Sequence, residues 1–307
     1  MSTAYISHTD CLRHEMGRHH PECPERLQAI EDQLILSRID YFFTRIDPPL
    51  ASEDQLALVH TKDHIEKIKS HAPQEGYYAI DGDTTMNPYT WQAALRSAGG
   101  AIAAVDAVMS GQVKNAFTCL RPPGHHAEPN QAMGFCFFNN VAIAAKHALE
   151  HYGLERVAVI DFDVHHGNGT EAAFKADPRV LMCSYFQHPF YPYSGADLDL
   201  PNMLNVPLPA YAGGDAVREV VELQWLPRLR EFKPQFIFIS AGFDAHREDD
   251  MGQMGLVESD YAWMTRQLMD VANETADGRI VSCLEGGYNL SALARSVVAH
   301  LKELADL

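Results

Sequence analysis

The chain has 307 residues, of which 46% are hydrophobic and 21% charged, proportions that are usual for a globular protein. Its 41 acidic residues outnumber 24 basic ones, and the formal charge of −17 argues against a protein that grips nucleic-acid phosphates. No stretch approaches the roughly 20 apolar residues that a membrane span requires. We therefore expect neither a nucleic-acid nor a membrane partner, and a single domain over residues 1–307.

The cysteines and the N-terminus indicate an intracellular protein. Six cysteines occur without a Cys-x-x-Cys pair, and several lie within apolar runs, so we expect reduced core residues. The first eight residues lack a charged segment followed by an apolar one, so we do not expect a secretory signal. These features predict a cytoplasmic location.

The first ninety residues predict a strand, a long helix, two short helices and a loop rich in Gly, Asp and Pro. In chain order they lie at Ala4–Ser7, Pro24–Ser37, Ser52–Leu58, Lys62–Ser70 and Gln74–Pro88. The segment Asp10–Arg26, rich in His and Pro, is expected to be irregular. The long helix carries one apolar stripe, formed by Leu27, Ile30, Leu34 and Ile35.

Beyond residue 90 the pattern alternates between helices and strands. The predicted helices are Trp91–Met109, Asn139–Tyr152, Asp215–Phe232, Glu258–Thr275 and Leu290–Leu304. The predicted strands are Ala116–Leu120, Arg156–Phe162, Arg179–Tyr185, Gln235–Ser240 and Arg279–Leu284. Long loops are expected at Gln187–Ala210 and Ala241–Met254, and Gly99-Gly100 should permit close packing. The alternation predicts an α/β fold, a three-layer αβα domain whose parallel sheet has helices on both faces.

One stretch, Arg156–Thr170, carries the strongest functional signal. An apolar, β-branched run leads into Asp161, Asp163 and His165, which alternate with apolar residues. If the chain stays extended, a period of two points these three side chains to one face. Two carboxylates and an imidazole on one face can hold a divalent metal. The alternative is a polar strand end whose aspartates cap the next helix.

Polar clusters follow four of the predicted strands. They are Gly124-His125-His126, Asp161-Phe-Asp163-Val-His165, Gly242-Phe243-Asp244 and Glu285-Gly-Gly-Tyr288-Asn289. Because ligands bind outside the carboxyl ends of parallel strands, we expect the four clusters to converge on one active site.

The residue types suggest metal-assisted hydrolysis of an amide. Asp163, His165 and Asp244 offer three N and O ligands, the pattern of a catalytic zinc site. Zinc in such a site lowers the pKa of a bound water and polarises a carbonyl beside it.

Three further side chains can move protons or donate hydrogen bonds. His125 and His126 can act as acid and base, with Asp161 and Asn168 as nearby partners that fix an imidazole tautomer. Tyr288, placed after two glycines, can donate its hydroxyl to a developing oxyanion.

Several long motifs make the chain resemble the zinc-dependent histone deacetylase superfamily. They are Arg-Pro-Pro-Gly-His-His, Gly-Phe-Cys-Phe-Phe-Asn-Asn, Asp-Phe-Asp-Val-His-His-Gly-Asn-Gly-Thr, Ser-Ala-Gly-Phe-Asp-Ala-His and Glu-Gly-Gly-Tyr-Asn-Leu, in the family's order. His20-Pro-Glu-Cys-Pro-Glu-Arg-Leu27 resembles the N-terminal signature. The resemblance covers nearly the whole chain and implies the arginase/deacetylase-type parallel sheet. Asn168 is similar to the class II branch, where class I has Asp.

The resemblance also implies a role for each site residue. Zinc would be held by Asp163, His165 and Asp244, and structural potassium by Asp161, Asp163, His165 and Ser184. Catalysis would use His125 with Asp161, His126 as general base beside Asn168, and Tyr288 as oxyanion donor. Class IIa vertebrate enzymes replace this tyrosine by His, so its presence implies an active deacetylase. Substrate would be bound by Phe135, Tyr191, Gly134, Gly287 and, at the rim, Asp83. Tyr191 stands where many relatives have Phe.

The implied reaction is removal of an acetyl group from N-acyl-lysine or a small N-acetylated amine by zinc-activated water. An acetylpolyamine amidohydrolase is the main alternative and suits the acidic chain, but such enzymes usually carry an insertion that is missing between these motifs. A catalytically silent acyl-lysine-binding module should have lost a ligand or Tyr288. An arginase-like dimanganese hydrolase needs more carboxylates in its metal motifs than this sequence has.

Overall fold

The computed structural model describes residues 2–307. Its strands β1 to β10 are, in order, Thr3–Ile6, Thr44–Ile46, Tyr78–Ala79, Thr85–Met86, Asn115–Thr118, Val157–Asp161, Val180–Gln187, Met203–Leu208, Ile237–Ala241 and Ile280–Leu284. Its helices α1 to α10 are Glu25–Leu36, Glu53–Leu56, Lys62–Ser70, Thr90–Met109, Asn140–His151, Asn168–Phe174, Gly214–Val220, Leu226–Phe232, Glu258–Thr275 and Leu290–Leu304. A π-helical stretch, Val221–Trp225, joins α7 and α8 into the single helix predicted there.

Eight of these strands form one sheet in the order β2-β1-β5-β10-β9-β6-β7-β8. Every neighbouring pair in it is parallel. The strands from β5 through β7 in this order are buried along their whole length, as expected for apolar runs covered on both faces. The prediction of a parallel α/β sheet is confirmed, and the carboxyl ends of its strands share one edge.

Helices cover the sheet in two groups, which gives three layers. Helix α10 packs against α1 and α9, and α9 packs against α8, while α4 packs against α5 in the other group. Gly99 and Gly100 lie within α4, where a Cβ on Gly99 would overlap the carbonyl oxygen of Pro49 and one on Gly100 would overlap Leu120. The predicted close packing at these glycines is confirmed.

The structure differs from the sequence prediction mainly at the sheet edges. β2 and β8 are the two outermost strands, and neither was predicted; β8 lies inside Gln187–Ala210, which was predicted as a loop. β2 is only three residues long, and β8 contains Pro207, which an edge strand tolerates because one side of its backbone is unpaired. The small antiparallel pair β3–β4 lies within the loop predicted over Gln74–Pro88. Ile35 is 60% exposed, so it lies outside the buried stripe of α1.

The chain around Asp163 also differs from the extended strand that the alternation predicted. β6 ends at Asp161, and the next residues turn. The Asp163 N–H donates to Asp161 Oδ1 at 3.1 Å, and the His165 N–H donates to Asp163 Oδ1 at 2.9 Å. Aspartate side chains commonly form such turns by binding a backbone N–H two residues on. The polar side chains therefore reach the sheet edge through consecutive turns.

The six cysteines are unpaired thiols, and all are buried except the partly exposed Cys23. Within residues 2–307 no helix combines the length and the apolar composition needed to traverse a bilayer.

Candidate active site

Three predicted ligands meet at the carboxyl edge of the sheet. Asp163 and His165 follow β6, Asp244 follows the neighbouring strand β9, and all three are buried. One ligand atom from each lies within 4.8 Å of the other two. Two carboxylates and one imidazole form a donor set that suits zinc.

One carboxylate oxygen of this cluster has no hydrogen-bond partner within residues 2–307 and is free to bind a cation. The Val164 N–H donates to Asp244 Oδ1, and the Gly286 N–H donates to Asp163 Oδ2, both at 2.9 Å. Asp244 Oδ2 lies 3.2 Å from His165 Nδ1 but makes no hydrogen bond with any residue of 2–307. Burial and the nearby Asp163 carboxylate raise the pKa of Asp244 to about 7. A bound cation would satisfy this oxygen and offset the buried charge, so the residues fit a divalent metal.

Two glycines keep the space around the carboxylates open. A Cβ on Gly242 would overlap Asp163, and one on Gly286 would overlap both Asp163 and Asp244. Gly287 has a different place from the one expected. It does not line the cavity described below, and its carbonyl accepts a hydrogen bond from Arg26 Nε at 2.6 Å.

The first histidine of the pair has a charged partner. His125 Nδ1 lies 3.0 Å from Asp161 Oδ2, and His125 Nε2 lies 3.7 Å from Asp163 Oδ2. Burial alone would lower the pKa of His125, but the carboxylates of Asp163 and Asp161 outweigh it and hold that pKa well above the usual range. The geometry favours an imidazolium at this position.

The second histidine has a neutral partner. His126 Nδ1 lies 2.8 Å from Asn168 Oδ1, and its ring centroid is 4.0 Å from that of His125. Burial, followed by the charges of His125 and His165, lowers the pKa of His126 well below the usual range. A neutral imidazole therefore faces the cavity.

A cavity of about 250 Å³ opens beside the Asp–His cluster. It is lined by Asp83, His126, Gly134, Phe135, His165, Phe190, Tyr191, Asp250, Met251 and Tyr288. Phe190 stacks on His165 with ring centroids 5.4 Å apart, and Tyr191 meets His126 edge-on at 5.2 Å. The predicted wall residues Gly134, Phe135 and Tyr191 thus line one cavity together with Asp83, the residue predicted at its rim.

Tyr288 lies in the wall of the same cavity. Its backbone N–H donates to Asp249 Oδ2 at 2.6 Å, and its ring meets Phe135 edge-on at 5.8 Å. The Arg26 guanidinium lies 4.9 Å from the centroid of the ring. Burial and the Asp244 carboxylate raise the pKa of Tyr288 well above the usual range, so its hydroxyl stays protonated.

Two buried carboxylates that position the site were not predicted. Glu285 Oε2 accepts hydrogen bonds from the N–H groups of Gly124 and His125, at 2.7 and 3.1 Å, and so holds the histidine loop. Asp249 Oδ2 holds the Tyr288 turn, accepting also from the Asn289 N–H at 2.9 Å. Glu285 opens a motif that the sequence displayed, whereas Asp249 sits in a loop that gave no signal.

Ser184 lies away from the cavity. It pairs with Asp161 in the register of β6 and β7, and its hydroxyl donates to Asn205 Oδ1 at 3.1 Å. The Asp161 side chain is already engaged by His125 and by the Asp163 N–H.

Comparisons with known proteins identify the family of this chain. The family model described as Histone deacetylase domain matches residues 20–304. The histone deacetylase-like amidohydrolase of Pseudomonas aeruginosa is 37% identical, over 99% of this chain and 86% of that protein. The polyamine deacetylase HDAC10 of Mus musculus is 38% identical over 99% of this chain, which spans 48% of that protein. The crystal structure of the HDA15 HD domain superposes with a TM-score of 0.94 and 34% identity, covering 99% of this chain and 90% of that one. The chain therefore belongs to the histone deacetylase family of deacetylases and amidohydrolases.

Proposed function

We propose that the protein is a zinc-dependent amidohydrolase that removes acetyl groups from N-acetyl-lysine or a small N-acetylated amine. The observation that carries this proposal is the buried Asp163–His165–Asp244 cluster, whose free carboxylate oxygen lies beside a cavity lined by His126 and Tyr288. Asp163, His165 and Asp244 would hold the zinc. When bound there, zinc would supply Lewis-acid polarisation of the substrate carbonyl and a water of lowered pKa.

The protein's own side chains would move the protons. His126, neutral and facing the cavity, would accept the proton of the attacking water as general base. His125, held as an imidazolium by Asp161, would supply positive charge and a proton toward the leaving amine. The Tyr288 hydroxyl would donate to the oxyanion as it develops.

The cavity suits a slim, linear acylated amine. The rings of Phe135, Phe190 and Tyr191 offer apolar walls for the methylene groups of the substrate. Asp83 and Asp250 also line the cavity, and within residues 2–307 neither forms an ion pair with a basic side chain. This acidic lining favours substrates with a second positive charge, and it supports a polyamine as the alternative substrate to acetyl-lysine.

A substrate screen on the zinc-loaded protein tests the proposal. We expect measurable kcat/KM on acetyl-lysine peptides, N-acetylputrescine or N-acetylspermidine, and the ranking selects between the two substrate classes. Metal removal should abolish turnover and zinc should restore it. Asp244→Ala should lose bound zinc while the fold survives. Full zinc occupancy and activity in that variant would contradict the ligand assignment.

Tyr288→Phe tests the oxyanion donor in the same assay. It keeps the ring and removes only the hydroxyl, so we expect about a 10²–10³-fold loss of kcat with zinc content and Tm near wild type. Tyr41→Phe is the control, because Tyr41 is 70% exposed in the turn after α1. Retention of more than about a third of kcat in Tyr288→Phe would exclude the hydroxyl as the donor.

We also propose structural potassium near Asp161, Asp163, His165 and Ser184, as the family resemblance implies. All four residues are buried, and Asp161 pairs with Ser184 in the register of β6 and β7, which supports the location. The side-chain oxygens of Asp161, Asp163 and Ser184 have hydrogen-bond partners in the protein, so we expect a modest effect. A comparison of Tm in potassium and sodium at equal ionic strength tests it, and equal values would contradict the site.

A further inference from the structure

We infer that Glu128 is a positioning residue that acts through the Asn168 amide to fix the tautomer of His126. The inference rests on the proposed function, in which His126 is the general base. Glu128 lies outside the residues that line the cavity, and it reaches His126 only by way of Asn168.

The contacts of the Asn168 side chain determine which way its amide points. The Nδ2 group lies 2.8 Å from Glu128 Oε1, 3.4 Å from the His126 carbonyl oxygen and 3.4 Å from Met133 Sδ. Each of these neighbours is an acceptor, and a carboxylate accepts only. The amide nitrogen therefore belongs on this side, which leaves Oδ1 at 2.8 Å from His126 Nδ1.

This orientation fixes the proton on His126. Since an amide oxygen accepts hydrogen bonds and cannot donate, His126 Nδ1 must carry the hydrogen in the bond to Asn168. In a neutral imidazole the other nitrogen, Nε2, then has the free lone pair. Nδ1 is occupied by Asn168, so Nε2 is the nitrogen available to a proton from the cavity. The tautomer is the one that a general base requires.

Asparagine alone does not enforce this outcome. Its amide can turn over with little change of shape, and the reversed amide would donate to His126 Nδ1 and leave the hydrogen on Nε2. An imidazole in that tautomer has no lone pair facing the cavity. The carboxylate of Glu128 removes this ambiguity, because the reversed amide would place two acceptors against each other at its contact with Asn168.

Glu128 is itself held in place. Its N–H donates to the Gln131 carbonyl at 2.9 Å, and its own carbonyl lies 3.0 Å from His60 Nδ1. His60 Nε2 accepts from the Asn139 N–H at 2.9 Å, so His60 Nδ1 is the donor in that contact. Among residues 2–307 no basic side chain forms an ion pair with Glu128. Its carboxylate is thus available to Asn168.

A reciprocal exchange tests the inference in the zinc-loaded protein. Asn168→Asp places two carboxylates against each other. We expect kcat to fall by about 100-fold with KM little changed, which is the upper end of the usual range for residues that orient other groups. Glu128→Gln lets the Asn168 amide turn over and should cost about 10-fold. In Glu128→Gln/Asn168→Asp the new amide donates to the new carboxylate, which accepts from His126 Nδ1. We expect this double variant to recover to within about 10-fold of wild type, a strong departure from additivity.

The control is Asp32→Asn, which removes one negative charge from an exposed carboxylate that accepts from the Gln28 amide at 2.8 Å. Its kcat should match wild type. A double variant that is as slow as the product of its two single losses, or slower, with Tm near wild type would overturn the inference.

A second readout does not depend on turnover. In ¹⁵N-histidine-labelled, zinc-loaded protein, long-range ¹H–¹⁵N correlations should show His126 with its hydrogen on Nδ1. Glu128→Gln should add a population with the hydrogen on Nε2, and the double variant should remove it. A wild type without hydrolytic activity but with this pattern would refute the proposed function and leave the inference supported. An unchanged His126 tautomer in Glu128→Gln would overturn the inference.

Discussion

The two adjacent histidines of the site have the same side chain and different partners. His125 Nδ1 faces the carboxylate of Asp161 at 3.0 Å, whereas His126 Nδ1 faces the amide of Asn168 at 2.8 Å. Both rings are buried, and their centroids are only 4.0 Å apart. The pKa of His125 is nevertheless raised and that of His126 lowered, because burial is outweighed by two carboxylates at the first and reinforced by two imidazoles at the second.

The pKa values of the two rings therefore differ because His125 lies beside the carboxylates of Asp163 and Asp161, whereas His126 lies beside a neutral amide and two imidazoles. A carboxylate offsets the desolvation cost of an imidazolium, whereas an amide fixes a tautomer without adding charge. Two like charges so close would repel, so one charged and one neutral ring is the stable combination. In the proposed function, this arrangement would separate an acid from a base within one dipeptide.

The largest expected effect comes from removing the neutral ring. His126→Ala deletes the proposed general base, so kcat should fall by about 10²–10⁴-fold, the usual range for acid–base catalysis. Zinc content and Tm, measured on the same preparation, separate this loss from unfolding. A fall below about tenfold would transfer the role of base to His125 or to another group.

The second prediction replaces the charged partner of His125 by a neutral amide, which is the kind of partner that His126 has. Asp161→Asn replaces the carboxylate beside His125 by an amide, and kcat should fall by about 10–100-fold, as for other groups that orient catalytic residues. Tm should fall as well, because removal of one member of a buried pair typically costs about 3–5 kcal/mol.

Asp106→Asn is the matched control for Asp161→Asn. Asp106 also pairs with a histidine, with Oδ1 2.7 Å from His147 Nε2, but it lies at the protein surface. Its loss should change stability by less than about 1 kcal/mol and leave kcat unaltered. Equal effects of the two substitutions on kcat would show that the Asp161 charge has no special role.

The last prediction concerns stability in acid and His60, a buried histidine with no carboxylate partner. Burial and the neighbouring His64 lower the pKa of His60 to about 3, against about 6.5 in an unfolded chain. Between these values the unfolded state binds the proton more readily, so stability falls as the pH is lowered from about 6.5 toward 3. His60→Asn should lower Tm at pH 7 and make the loss of Tm between pH 7 and pH 4 shallower.

His19→Asn serves as the control for the pH series, since His19 is exposed and has a positive φ of 68° that Asn tolerates. Its Tm should follow the wild-type curve at every pH. If the Tm of His60→Asn falls with decreasing pH as steeply as that of the wild type, the proton that destabilises the protein in acid binds to another group.

The fold was predictable where burial dominates the sequence. β6 and β9 are apolar runs buried on both faces, and their composition alone identifies them. β2 was missed because it is only three residues long, and β8 because it is only partly buried and contains a proline, so packing against a neighbour decides their conformation more than composition does. The turns after Asp161 were missed for a related reason, since alternation fits an extended strand as well as a chain of aspartate-stabilised turns.

Some residues of the candidate site were likewise predictable from the sequence, and others were not. Asp163, His165 and Asp244 follow buried strands, and their residue types indicate metal binding, so sequence reasoning brings them together. Glu128 and Asp249 act across 40 and 39 residues of chain, respectively, on Asn168 and Tyr288. Nothing in a local pattern identifies such partners, because a loop carboxylate that orients a distant group looks like any exposed acidic residue until the chain has folded.

The two edge strands affect whether copies of the protein can associate through their sheets. An unprotected sheet edge presents a row of backbone donors and acceptors to which another chain can add a strand. At one edge, Pro207 in β8 removes a donor, and at the other, β2 is three residues long and carries Arg45, which is ion-paired to Glu31. These features oppose polymerisation by strand addition. The buried parallel sheet, whose apolar strands would aggregate if exposed, therefore ends at both sides in segments that are poor templates for β-aggregation.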